Sequence, residues 1–275
     1  MSDVNLQLQS SETDAYQATQ YLLRRRVPPA LYYKLRTFSR QHPAIFLPFS
    51  RWRWNRWRQK YLSDPTLPEP AAPQPLMPDT EIVIEGFPRT ANTFAHIAFK
   101  MAQSRPVNIA HHTHAAAQVI AGVRRNIPTV VLIREPEAAI ISYIIGEFDP
   151  EIEMRQVLYD YLAFYQPIIK FRRRFVIAPF QEITQSYDTI IRKVNERYSS
   201  DFDEFINTEE NVQKCFELID KGYTNAFGEL DEAVVSRPVS SRKSQKSLLT
   251  EEFYSPSLSK LREAAQSTYE TLMSD

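Results

Sequence analysis

Cysteine and glycine are scarce in this chain: one cysteine, Cys215, and five glycines among 275 residues. A single thiol cannot close a disulfide within the chain, which fits a reducing compartment. No run of about eighteen apolar residues occurs, so no transmembrane helix is expected. The opening MSDVNLQLQSSETDAYQ is polar and lacks a basic start followed by an apolar stretch, which argues against a secretory leader. The expected location is cytoplasmic. No internal repeat is visible. Net charge is also absent, but the balance is uneven. Residues 1–63 carry eleven basic and three acidic side chains, and the remainder carries 22 basic and 30 acidic ones. The basic part either packs on the acidic part or meets something anionic, such as a membrane surface.

Three regions follow from what is present. Residues 1–63 read as a basic helical extension with an aromatic-rich end. Residues 64–79, DPTLPEPAAPQPLMPD, hold six prolines and no glycine, a composition that favours an extended, semi-rigid linker. Residues 80–275 read as the main domain. Its β-branched runs predict strands over 81–85, 129–133 and 175–178. Helices are predicted over 93–103, within the REPEAAIISYII segment, over 157–171 and over 183–198. Strands alternating with helices predict an α/β domain with a central parallel sheet flanked by helices. Ligands in such sheets bind where strands end and helices begin.

The candidate residues fall at those places. Gly86-Phe-Pro-Arg-Thr-Ala-Asn-Thr-Phe94 lies between a strand and a helix. A helix N-terminus has unpaired N–H groups and the positive end of the macrodipole, so a loop feeding it suits an anion. Arg89 adds a fixed charge, Thr90 and Thr93 add hydroxyls, and Phe94 offers a flat face for a base. The plainer alternative is an ordinary turn, with Thr93 as cap and Phe94 in the core. The loop is not a Walker A motif, because Ala91-Asn92-Thr93 stands where Gly-Lys-Ser is required. Arg134 ends the second predicted strand and Ser142 follows eight residues later. Together they suit a second phosphate; the alternative is a surface ion pair between Arg134 and Glu137. His111, His112 and His114 cluster, but no carboxylate or thiol lies nearby and the spacing does not point three rings at one ion, so no metal site is expected. Arg51-Trp-Arg-Trp-Asn-Arg-Trp-Arg58 suits a membrane-interface anchor, an anion or base contact, or a helix docked on the main domain.

These motifs resemble the sulfotransferase family, whose hallmark is a strand, Pro-Lys-Ser-Gly-Thr-Thr-Trp, and a helix. The resemblance aligns Pro88 with the proline, Arg89 with the lysine, Thr90 with the serine and Ala91 with the glycine. Asn92 and Thr93 fall on the two threonines, and Phe94 falls on the tryptophan that stacks on adenine. Arginine in place of the lysine is found in tyrosylprotein sulfotransferases. Arg134 and Ser142 stand at the separation of the family's 3′-phosphate ligands. His112-Thr113-His114 is similar to Lys-Thr-His, with His114 as the general base and His112 replacing the lysine. A histidine near its ordinary value of about 6.5 is suited to that role. Phe180 falls on a tyrosine beside the adenine. Arg242 and Lys243 lie near the family's C-terminal Arg-Lys-Gly. The resemblance covers residues 81–200 and does not extend to residues 1–79.

The resemblance implies a P-loop NTPase-like fold and 3′-phosphoadenosine-5′-phosphosulfate (PAPS) as cofactor. It implies sulfuryl transfer to an unidentified hydroxyl or amine acceptor, with Arg89 and His114 catalytic and no metal. Outside the resemblance, residues 51–58 offer peripheral membrane contact as a further partner beside docking on the main domain, and no nucleic acid is expected. Two alternatives stay open. One is a P-loop-type nucleotide or small-molecule kinase. The other is a degenerate sulfotransferase fold acting as a binding module.

Overall fold

A computed structural model describes residues 28–63, 73–146, 152–227 and 243–274. Two helices open it, α1 (Pro29–Gln41) and α2 (Pro43–Ser63). Then follow β1 (Ile82–Gly86), α3 (Asn92–Ala102), β2 (Ile109–His111), α4 (Ala116–Arg124) and β3 (Thr129–Ile133). Next come α5 (Pro136–Ile145), α6 (Met154–Tyr165), a 3-10 stretch (Gln166–Arg174) and β4 (Val176–Pro179). The chain closes with α7 (Phe180–Gln185), α8 (Tyr187–Tyr198), α9 (Glu209–Phe227), α10 (Lys243–Phe253) and α11 (Ser259–Met273).

The four strands form one parallel sheet in the order β2-β1-β3-β4. β1 and β3 are buried along their whole length, because helices cover both faces and no face is left to be polar. Alternate β3 residues feed two different cores, as the two-residue strand period requires. Val131 and Ile133 join α5 and α6 residues, whereas Val130 and Leu132 join Phe94, Phe99 and Ile190. From β1 the chain first moves to β2 and later returns to β3 on the other side. The switch point therefore lies at the C-terminal ends of β1 and β3, where α/β sheets bind ligands.

The helical extension is seen from residue 28 and docks on this body. Arg36 of α1 pairs with Asp160 of α6, and the Gln41 amide donates to the Ala163 carbonyl at 3.2 Å. Arg51 Nε donates to the Leu76 carbonyl at 2.7 Å. Within 51–58, Trp52 is 56% exposed beside exposed Phe49, with the Arg56 guanidinium 5.8 Å from its ring, while Trp54 is half-buried. Among the described residues, no helix is long and apolar enough to cross a membrane. Of the Pro-rich stretch, residues 73–79 are described. They are not a free spacer: Gln74 pairs with His111 on the β2 edge, and Leu76 is fully buried.

Three predicted strands appear within one residue of their expected bounds. β2 is an addition, three residues long and too short for periodicity to announce. The helix expected over 157–171 is instead α6 followed by tighter 3-10 turns, since Pro167 cannot donate within the helical ladder. The helix expected over 183–198 divides at Ser186, which lies outside helical geometry at φ −153°.

Candidate active site

The loop after β1 is built for close approach. A Cβ on Gly86 would stand 2.5 Å from Thr90 Oγ1 and 2.7 Å from the Leu132 carbonyl oxygen, so only glycine fits there. Thr90 and Asn92 turn inward. The Thr90 hydroxyl donates to the Phe87 carbonyl at 2.7 Å, and Asn92 Nδ2 donates to the same oxygen at 2.9 Å. Both residues are buried, so their side chains brace the loop and are not free donors. Arg89 and Ala91 both take φ 67°, in the left-handed region. For Ala91 this costs about 1 kcal/mol or more because of its Cβ. Ala91→Gly is therefore expected to raise stability by about 1 kcal/mol in a urea melt. No change, or a loss, would mean the loop takes another conformation in solution. Ala91 is also the N-cap of α3 and has no capping side chain. Phe94 does not present the open face expected of it. It is 4% exposed and packs against Phe205 and Phe216, because it heads the apolar stripe of α3.

Four expected residues converge at the switch point. Arg89 Nε donates to Ser142 Oγ at 3.3 Å, and Arg134 Nη1 donates to the Arg89 carbonyl at 3.1 Å. The Arg134 guanidinium lies 4.1 Å from the centroid of the half-buried Phe180 ring. Burial first, and then the Arg89 charge, push Arg134 down from the usual arginine range, although a guanidinium stays charged at neutral pH. Glu137, the alternative ion-pair partner, instead accepts from the Tyr254 hydroxyl at 2.8 Å. Two cations that repel one another, beside a helix N-terminus without a side-chain cap, make this corner attractive to an anion. Arg242 lies outside the described residues, and Lys243 is the first residue of α10.

His114 stands across the loop. Its Nδ1–H donates to the Gly86 carbonyl at 2.7 Å, which leaves Nε2 with the lone pair in the neutral ring. The expectation of an ordinary histidine pKa does not hold: burial pushes it down to about 3. His114 borders a small cavity of about 30 Å³, together with Pro88, Tyr143 and the α1 residues Arg36, Thr37 and Arg40. The N-terminal extension thus walls the space in front of the candidate base. His112 does not face that cavity; its Nε2 lies 3.2 Å from Thr93 Oγ1.

Three supporting residues carried no sequence motif. Glu85, fully buried at the end of β1, accepts from Thr113 N–H and hydroxyl, His114 N–H and the Gln118 amide. Burial holds its carboxyl up, at about 7. Tyr165 donates its hydroxyl to the Leu132 carbonyl at 2.7 Å and accepts from Phe87 N–H. Tyr161 donates to the Arg134 carbonyl at 3.0 Å. The one signal for Glu85 was an acidic residue closing an apolar strand. The tyrosines were legible only as aromatic positions on a helix.

No protein-family model matches this chain, and no curated protein matches it.

Proposed function

We propose that the chain is a sulfotransferase of P-loop-like fold that uses 3′-phosphoadenosine-5′-phosphosulfate. The observation that carries this reading is the convergence of Arg89, Arg134 and Ser142 at the ends of β1 and β3. The donor set fits such a nucleotide. Arg134 and Ser142 suit the 3′-phosphate, and Arg89 with the first turn of α3 suits the 5′ end. When bound, the nucleotide supplies an activated sulfuryl group and a bisphosphate leaving group. Arg89 stabilises the charge that grows on the oxygen leaving sulfur and acts electrostatically, since arginine does not give up a proton. The His114 tautomer points its lone pair away from Gly86 and is the acceptor for the proton lost as the attacking oxygen or nitrogen bonds to sulfur, although burial leaves that nitrogen weakly basic.

Calorimetric titration with adenosine 3′,5′-bisphosphate, without magnesium and with ADP as control, tests the site. The bisphosphate is expected to bind more tightly than ADP. Arg134→Ala is expected to remove about 10–100-fold of that affinity, the worth of a charge-assisted contact. Equal affinity for the two nucleotides would end the proposal. A second reading is a fold that binds the nucleotide without turnover. It draws on the buried Phe94 ring and the weakened basicity of His114. Transfer of labelled sulfate to any member of a broad acceptor panel would exclude it.

A further inference from the structure

Four of the chain's five histidines gather where β2 meets α3. His96, on α3, stacks on His111 with ring centroids 3.8 Å apart and planes at 22°. His112 stands edge-on to both, at 5.8 Å from His96 and 4.9 Å from His111. One ring nitrogen from each of the three lies within 4.8 Å of the others. His111 Nδ1 and His112 Nδ1 are only 2.7 Å apart. Two ring nitrogens that face each other so closely either share a proton or direct lone pairs at one ion.

We infer that His96, His111 and His112 form a binding site for a divalent transition ion of the zinc class. Imidazole nitrogen is a preferred ligand of such ions, with bonds of about 2.0–2.1 Å. Tetrahedral ligands at that distance stand roughly 3.3 Å from one another. The closest nitrogen pair must therefore open slightly, the most distant must draw in, and the His96 ring must swing off its stack on His111, because lone pairs in near-parallel planes do not converge on one ion. Two rings are held in advance. His111 belongs to β2 and pairs with both Ile84 and Gln74. His112 Nε2 sits against Thr93 Oγ1, the outer hydrogen bond that orients a ligating ring so that Nδ1 meets the metal. Burial keeps all three rings neutral, as ligands must be. Lys100 is the adverse charge, since it bears on His96 and His111. An all-imidazole set excludes magnesium and calcium, which need oxygen, and three ligands leave a fourth position for water. The site requires no nucleotide and stands apart from the sulfuryl-transfer reading.

The test uses the full chain without a polyhistidine tag, stripped with chelator and then titrated with cobalt(II). The expected result is one cobalt per chain with the visible bands of tetrahedral cobalt, displaced by zinc. His96→Ala and His112→Ala are each expected to weaken binding at least tenfold, and exposed His42→Ala is expected to leave it unchanged. Absence of stoichiometric binding in the wild type would overturn the inference, as would undiminished binding in both variants. Should the variants fail to fold by circular dichroism, X-ray absorption at the zinc edge of the wild-type protein decides. About three imidazoles on the ion support the site, and one or none refutes it.

Discussion

Replacing Glu85 with alanine is expected to cost about 3–5 kcal/mol, the range for breaking a buried charged network from one side. The carboxylate is fully buried and takes Thr113 N–H at 2.9 Å, Thr113 Oγ1 at 2.7 Å, His114 N–H at 3.1 Å and Gln118 Nε2 at 2.9 Å. The Gly86 N–H, at 3.2 Å, is a fifth donor. Alanine would leave these donors facing a void. Part of the loss is returned, because a carboxylate no longer has to be desolvated. The local consequence reaches the site, since His112 and His114 both hold left-handed backbone, φ 56° and 49°. Glu85 is what fixes that turn to the end of β1. Glu85→Gln keeps the shape but aims an amide N–H₂ at one of the donors, so it is expected to fall between wild type and alanine. Thermal melts of the three proteins at pH 8.5, where Glu85 with its pKa of about 7 is ionised, decide the matter. The alanine variant should melt about 10 °C lower. A shift of only one or two degrees would mean that Glu85 does not organise the loop.

The sheet was legible because β1, β3 and β4 are β-branched or apolar runs bounded by breaking residues. Their burial on both faces follows from helices placed between parallel strands. The site was legible only where it lies along the chain. Arg89, Arg134 and Ser142 could each be picked out, but the contact between Arg89 and Ser142 spans 53 residues and depends on how α5 leaves β3. Glu85 and His96 were not legible as site residues, because pairing brings them there. The register of β1 with β2 sets Ile84 beside His111, so Glu85 meets the turn that follows β2. The same pairing brings α3, and with it His96, over His111. Sequence spacing offered His111, His112 and His114 as the cluster, whereas the fold exchanges His114 for His96. Phe94 was ambiguous for a different reason. A residue opening an amphipathic helix serves a ligand or the core equally well until the helix is placed. Here the sheet behind α3 and the rings of Phe205 and Phe216 claim it.

Acidification is expected to unfold the metal-free protein steeply between pH 6 and pH 4. Burial depresses His96 to about 3, His112 to about 4 and His114 to about 3, and it holds His111 well below 6.5. In the unfolded chain each returns to about 6.5. A depressed folded pKa contributes stability that is present above 6.5 and lost as pH falls toward the folded value. Glu85 has the opposite sign. Its folded pKa is raised to about 7, so it holds a proton that the unfolded chain has released, and it adds stability as pH falls from 7 toward 4.5. Four histidines against one carboxylate leave about three protons taken up on unfolding near pH 5, or roughly 4 kcal/mol of stability lost per pH unit. That slope exhausts an ordinary domain stability of about 5–15 kcal/mol within a few pH units. Urea unfolding at pH 7.5, 6 and 5, with chelator present, measures the slope directly. His96→Phe keeps an aromatic ring against His111 and should lower the proton count by about one. Stability that stays level from pH 7.5 to 5 would show that these rings are hydrated in solution, and the histidine cluster would then not be closed to water as described.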